Sequence, residues 1–415
     1  MDTSITDVAI VGAGAAGLAA AIFTRRANPT RSVLLLDGAR EPGAKILVSG
    51  GARCNVTNRV VSERDFWGGR RAIVRRVLRA FTADDAICFF RELGVSLHEE
   101  TDGKLFPDTN RARDVLTALL RGADSAGVRL LTDHRVLDVQ AADDGFSIVA
   151  TGGTIRCRQV VLATGGQSLP KSGSDGAGFQ FAQRLGHTIV PTTPALVPLI
   201  LDEARGSIHR RLSGVSHDVE LALWVDCRIS MRLGGALLWT HFGISGPVAL
   251  NASRHWLRAE LEHRPVKLTA SFCPGETFDS LERLWTAAPS RRPNSSVLTA
   301  LADHVPAAVA SALLDRLRLD AAVELAHLAR TNRRALVQAL LEWPLAVKGS
   351  RGYNHAEATA GGVALDEINP ATMESRIRQG LYLIGEMLDV DGRIGGFNFQ
   401  WAWSTGYVAG RALGA

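Results

Sequence analysis

Cysteine is scarce in this chain, and its five residues, at positions 54, 88, 157, 227 and 273, share no paired spacing. That argues against a disulfide framework and for a reducing compartment. Eleven histidines form no H-x3-H or Cys/His spacing, so no metal is expected. Long apolar runs are missing too. They fall short of the roughly 20 residues needed to cross a bilayer, and Pro194 and Pro198 interrupt the most suggestive one. The first apolar strand starts at residue 7, leaving no room for a signal peptide, so a cytoplasmic protein is expected. Lysine is nearly absent: five lysines stand against 42 arginines in a chain of net charge +5. With heavy use of Ala and Gly, that bias points to nucleotide composition more than to selection for a polyanion. Basic clusters do occur at Arg70, Arg71, Arg75, Arg76 and Arg79, at 209–211, and at Arg330, Arg333 and Arg334. The first lies on a helix whose other face is Ile73, Val74, Val77, Leu78 and Phe81. It is either a solvated amphipathic face or a phosphate-contacting surface. No RNP motif or zinc knuckle accompanies it.

What is present begins almost at once. Residues 7–11 form a short apolar strand running into Gly12-Ala13-Gly14-Ala15-Ala16-Gly17, with a helical stretch at 18–26 and a second strand at 32–36 ending in Asp37. Strand, glycines, helix, strand and acid in this register make a dinucleotide-binding fingerprint. Gly12 allows the tight turn, Gly14 lets the backbone approach a pyrophosphate, and Gly17 lets helix and strand pack closely. The helix start, Ala15 and Ala16 included, offers free N–H groups to the phosphates. Asp37 can accept both ribose hydroxyls, which favours FAD or NAD over a 2′-phosphorylated cofactor.

Later segments favour FAD. Residues 43–58 form a polar, glycine-bearing loop where a flavoprotein wraps its cofactor, and 160–166 is a strand ending in small residues, Thr164 and Gly165 among them. Near the C-terminus, the strand 381–384 runs into Gly385-Glu386, and Gly395-Gly396 opens a helix at 398–413. That helix would aim its N-terminus at the flavin N1/O2 edge. No second strand–GxGxxG–helix unit exists for a nicotinamide dinucleotide: the Gly173–Gly178 stretch follows a loop containing Pro170. NAD(P)H, if used, is therefore expected to dock transiently at the flavin.

The strings SGGARCNVTN, LATGGQSLPKSGSDGAG, THFGISGP, TAGGV and GEMLDVDGRIGGFNFQWAWSTGYVAG resemble those of the BaiN/RdsA-like flavoproteins (the YhiN group, also labelled aminoacetone-oxidase-like), in order and through essentially the whole chain. Ala52 stands where that pattern has glycine. The resemblance implies an α/β fold: a Rossmann-like FAD-binding domain of the two-dinucleotide-binding-domain flavoprotein type, interrupted by a β-rich insert domain and a small helical domain. The boundaries are expected at 1–192 and 350–415 for the FAD domain, 193–275 and 343–349 for the insert, and 276–342 for the helical domain. It also implies that Val136 contacts the adenine and that the Gly385-Glu386 turn holds the ribityl hydroxyls. Further cofactor contacts are expected from Gly38, Lys45, Ile46, Ser49, Gly51, Arg53, Cys54, Asn55, Gly396 and Asn398. Disulfide reductases of the superfamily carry a cysteine pair near Cys54, which is alone here, so a flavin–dithiol relay is not expected.

The activity implied is NAD(P)H-linked reduction of a carbon–carbon double bond, with a small-molecule substrate and no membrane partner. The alternatives are reduction of a uridine in ribosomal RNA and a flavoprotein whose FAD is structural. Such a reduction needs a proton donor beside the flavin. His241 is a candidate, against the plainer reading that Gly246-Pro247 merely starts a helix nearby. Arg53 and Asn55 are expected to touch flavin or substrate, because a charge among glycines has little evident structural purpose. Tyr353 and His355 are runners-up, and Asn398, Gln400, Trp401 and Trp403 are placed to wall the site or to fill the core.

Overall fold

The computed structural model describes residues 5–203 and 208–415. The described residues divide into two compact units, 1–192 with 357–415, and 193–356.

The first unit is built on strand β1 (Thr6–Val11), helix α1 (Ala15–Ala27) and strand β2 (Val33–Leu36). Its main sheet has seven strands. β1 lies between β2 and the strand Gly153–Leu162, all parallel, and β2 pairs in parallel with Arg129–Leu131. The strand Leu381–Leu383 also runs parallel along Gly153–Leu162, and an antiparallel hairpin, Val136–Ala142 with Gly145–Ala150, completes the far edge. Parallel central strands must be covered on both faces, which is why β1 and β2 read as unbroken apolar runs. The carboxyl ends of β1 and Gly153–Leu162 meet at Val11 and Leu162, and the glycine turn leaves from there.

Helix α1 packs against the last helix, Phe397–Gly414, more closely than ordinary side chains allow. Gly406, Gly410 and Gly414 recur every fourth residue and so share one face. A Cβ on Gly406 would lie 2.8 Å from the Ala16 carbonyl oxygen, and one on Gly410 would lie 2.6 Å from Cβ of Phe23. Neither leaves room for a methyl group.

Residues 43–58 are not wholly loop as expected. Helix α2 (Ala44–Ala52) begins after Gly43 and breaks at Ser49, where ψ is 149°. Gly50 and Gly51 follow in the left-handed region, and Ala52 and Cys54 adopt positive φ as well. Ile46 turns its side chain into the core, and that side chain anchors the helix.

The second unit holds an antiparallel seven-stranded sheet in the order Trp343–Leu345, Val266–Ser271, Ser216–Val225, Arg228–Thr240, Gly243–Ser245, Leu199–Leu201, Val347–Ser350. Here the helical segment departs from the expectation of a separate domain. Leu281, Trp285, Leu313 and Leu336 from its helices share one buried cluster with Leu221, Trp239 and Leu268 from the strands. The amphipathic helices bury their apolar faces on the sheet, so helices and strands form one core.

Gly410→Val adds a β-branched side chain where α1 leaves no space. It should destabilise the protein by about 2–3 kcal/mol, lowering Tm by roughly 5–10 °C. A thermal melt matching the parent would show that the close approach of the two helices is dispensable.

Candidate functional site

The turn after β1 uses each of its three glycines for a different reason. Gly12 has φ +105, and an added Cβ would lie 2.5 Å from the Ala163 carbonyl oxygen. Gly17 sits over that turn, where an added Cβ would lie only 1.9 Å from the Gly12 oxygen. Gly14 is unlike both. Its φ is −82, open to any residue, and a Cβ there would meet no protein atom within 4 Å. Nothing in the protein requires glycine at 14; a ligand lying against that backbone would. The first N–H groups of α1, at Ala15, Ala16 and Gly17, have no intrahelical acceptor and are open to an anion.

Asp37 closes this cradle. One carboxylate oxygen accepts the N–H of Ala13 and the other that of Ala39, each at 2.8 Å. Each oxygen keeps a lone pair for a ribose hydroxyl. Gly38 lies against Arg135, which brings Val136 to the same end of the cradle.

Several loop residues prove to be bound by the protein itself. Arg53 pairs with Glu100 at 2.7 Å, and its guanidinium lies 4.1 Å from the centre of the Phe106 ring. The premise that it lacks structural purpose fails, because its partners come from the Leu97–Glu99 and Lys104–Pro107 region, which sequence spacing does not reveal. Asn55, with its amide oriented to satisfy its neighbours, donates to the carbonyls of Thr57 (2.8 Å) and Leu105 (3.2 Å) and accepts the Gly396 N–H at 3.1 Å. It ties the loop to the start of the last helix. Ser49 donates its hydroxyl to the Ile46 carbonyl. Cys54 is fully buried, and burial pushes its thiol up to about 12, so it stays protonated and unreactive. Asn398 bonds both ways with the main chain of Gly392. Gln400, Trp401 and Trp403 are buried and bonded to Phe81, Gly385 and Val56 main-chain oxygens. They hold the core together, and their polar groups are all engaged there.

The charged centre of the site is only partly foreshadowed by sequence. Gly385 approaches α1 so closely that a Cβ would lie 2.8 Å from Cβ of Ala16. That contact delivers Glu386 to the glycine cradle. Glu386 forms an ion pair with Lys45 and accepts the Thr359 N–H at 2.9 Å. The Thr359 hydroxyl in turn accepts the N–H groups of Gln167 and Ser168, at 2.8 and 3.1 Å. Thr164 and Gly165 lie alongside: a Cβ on Gly165 would lie 3.7 Å from the Glu386 carboxylate, and the Thr164 hydroxyl faces Gly178 and Met387. Thr359 is the member that residue-level reasoning missed. Its signal is a buried polar residue in the small-residue strand Ala358–Val363.

His241 belongs to the second unit, exposed in the turn between Arg228–Thr240 and Gly243–Ser245. The helix Pro247–Leu261 does start at Pro247, after Gly246 with φ +85. Tyr353 and His355 lie in the same unit. Elsewhere in the first unit, His187 links Glu367 (2.8 Å) and Ser375 (2.8 Å) in the connectivity of a hydrolase triad. Ser375 Oγ, however, is buried and accepts the N–H groups of Ile377 and Arg378. Its lone pairs are committed, so the trio is a structural tie and no nucleophile.

The HI0933-like protein Rossmann domain model matches residues 6–412. The chain belongs to that family. It is an FAD-dependent oxidoreductase. Among its relatives, the "Ribosomal RNA dihydrouridine synthase" of Escherichia coli is 34% identical over 410 residues, 98% of each chain. The "3-dehydro-bile acid delta(4,6)-reductase" of Clostridium scindens is 31% identical, again over 98% of each. Among solved structures, Escherichia coli quinol fumarate reductase FrdA superposes with a TM-score of 0.52 at 17% identity, covering all of this chain and 70% of that one. This last likeness concerns the fold alone. The residues present fit FAD: the backbone at Gly14 is open to a pyrophosphate, Asp37 retains ribose acceptors, and Glu386 brings a carboxylate beside the glycine turn.

Two substitutions separate cofactor contacts from folding. Because Gly14 meets no protein atom, Gly14→Val should fold with the Tm of the FAD-free parent yet purify colourless, as judged by its visible spectrum; a fully flavinylated variant would relocate the pyrophosphate. Glu386→Ala should weaken FAD binding about ten- to a hundredfold, the worth of one charged hydrogen bond. Equal affinity in a fluorescence titration would assign that role to Asp389 or Asp391.

Proposed function

We propose that this protein takes electrons from NAD(P)H and saturates a carbon–carbon double bond conjugated to a carbonyl. The observation that carries the reading is the pair of full-length relatives. A dihydrouridine synthase and a delta(4,6)-reductase both remove a C=C, and this chain matches each over 98% of its length. Bound FAD would supply the hydride. The protein's own residues would hold it: the Gly14–Gly17 backbone at the pyrophosphate, Asp37 at the ribose, and Glu386 with Lys45 along the ribityl chain. The nicotinamide would dock transiently, since Gly173–Gly178 follows a 3-10 turn, Pro170–Ser172, and no strand. Cys54 supports the same choice, because a buried, protonated thiol is unsuited to a dithiol relay. A cytoplasmic setting agrees with the dispersed cysteines, and among the described residues no helix is long and apolar enough to cross a membrane.

A small enone is the leading substrate class. Ribosomal RNA is the second, favoured by the helix Arg71–Ala80. Arg70 and Arg75 are spoken for by Asp366 and Glu63, but Arg71, Arg76 and Arg79 are exposed without an acidic partner among the described residues. Anaerobic reduction of the flavin by NADH or NADPH, followed by mixing with either acceptor, distinguishes the two. Reoxidation by an enone and not by unmodified ribosomal RNA is the expected outcome. If RNA is the acceptor, replacing Arg71, Arg76 and Arg79 with Gln should flatten the salt dependence of RNA binding by nearly one unit of slope per lost phosphate contact. Reduced flavin that neither acceptor reoxidises would leave the cofactor a structural role.

A further inference from the structure

Glu357 immediately precedes the strand Ala358–Val363. Glu357 sits in the bend two residues before Thr359. The main-chain N–H of Thr359 donates to Glu386, and Glu386 holds Lys45. A Cβ on Gly166 would lie 2.4 Å from the Thr359 hydroxyl and 3.2 Å from the Glu386 carboxylate, which places the cofactor-side turn within the same few ångströms. Glu357 is close enough to Lys45 to feel its charge. One ammonium therefore has two carboxyl groups beside it. Glu386 is bonded to it; Glu357 makes no hydrogen bond or ion pair among the described residues.

The side chain of Glu357 is accessible to solvent. Even so, the surrounding protein pushes its carboxyl above the ordinary carboxylate range, with Lys45 opposing that shift. Lys45, whose charge reaches it, and Glu386, paired with that lysine, are the residues proposed above to hold the ribityl chain.

We infer that Glu357 is the proton donor for the reduction, delivering its carboxyl proton to the substrate carbon next to the carbonyl. The inference rests on the C=C-reductase reading above. Hydride originating from NAD(P)H adds to the β carbon and forms a C–H bond there. The π pair moves to the α carbon and takes the Glu357 proton. Glu357 is left as a carboxylate beside Lys45, and solvent, which reaches the side chain, returns the proton. The division of labour is physical. Glu386 neutralises much of the Lys45 charge, so Glu357 is not forced to ionise, while enough of that charge remains nearby to stabilise the carboxylate once formed.

The test uses the FAD-loaded protein and the variants Glu357→Gln and Glu357→Asp. Infrared difference spectra over a pH titration should show a carboxylic-acid carbonyl band in the parent that persists above the ordinary carboxylate range, disappears as pH rises further and is absent from Glu357→Gln. The charged groups beside it are Lys45 from α2 and Glu386 from the turn after Leu381–Leu383, and both are unchanged in these variants. In single turnover, reoxidation of reduced flavin by an enone should slow about 10²–10⁴-fold in Glu357→Gln. The parent rate should fall as pH rises through the Glu357 titration, because the donor must be protonated, and that limb should vanish in Glu357→Gln. Glu357→Asp, which keeps a carboxyl, should retain FAD, the pH limb and part of the rate. Parent-like reoxidation by flavinylated Glu357→Gln, or a carbonyl band that survives in it, would overturn the assignment and leave the reductase reading intact. A parent reoxidised by ribosomal RNA alone transfers the same comparison to RNA as acceptor. A parent reoxidised by neither overturns the reductase reading, and the proton donor with it.

Discussion

Helix α1 is held at backbone distance on two sides, and the site is assembled from that restraint. On one side, Gly17 lies over the Gly12 carbonyl, so the helix starts directly above the end of β1. On another, Gly406 and Gly410 let the last helix approach Ala16 and Phe23. Gly385 meets Ala16 at the helix start, and this contact fixes Glu386, which in turn positions Lys45 and Thr359. Dispersion falls steeply with distance, so small residues at these contacts gain packing that larger ones would forfeit through strain. The phosphate cradle and the charged cluster are thus two ends of one rigid arrangement.

Electrostatically, the cluster is arranged for proton handling. Lys45 bonded to Glu386 gives a nearly neutral pair, and the Lys45 charge also reaches the carboxyl of Glu357. Buried thiols take no part: Cys54 and Cys157 are both raised to about 12 by burial. Neither thiol is therefore suited to a sulfur relay.

The fingerprint is legible in sequence because each of its glycines answers a local rule, and Asp37 and Glu386 stand at the ends of recognisable strands. The Gly406, Gly410, Gly414 spacing is equally visible but gives no warning of its role, since a glycine-bearing helix is ordinarily a weak one. The protein partners of Arg53 and Asn55 are hidden for the opposite reason. Those partners, Glu100 and Gly396, are distant in the chain, and nothing near either residue announces them. Glu357 cannot be read at all from its neighbours. Its environment is made by Lys45 and Glu386, which only the folded sheet brings together. The helices of 276–342 look self-sufficient in pattern, although their apolar faces complete the core of the adjoining sheet.

The decisive measurement is a structure of the protein with FAD and an unreactive enone bound. The pyrophosphate should lie against the Gly14–Ala16 backbone, the ribityl hydroxyls at Glu386, and the substrate's α carbon within reach of the Glu357 carboxyl. An isoalloxazine ring whose reactive face turns away from Glu357 and Lys45, or a pyrophosphate seated elsewhere, would contradict this assembly of the site.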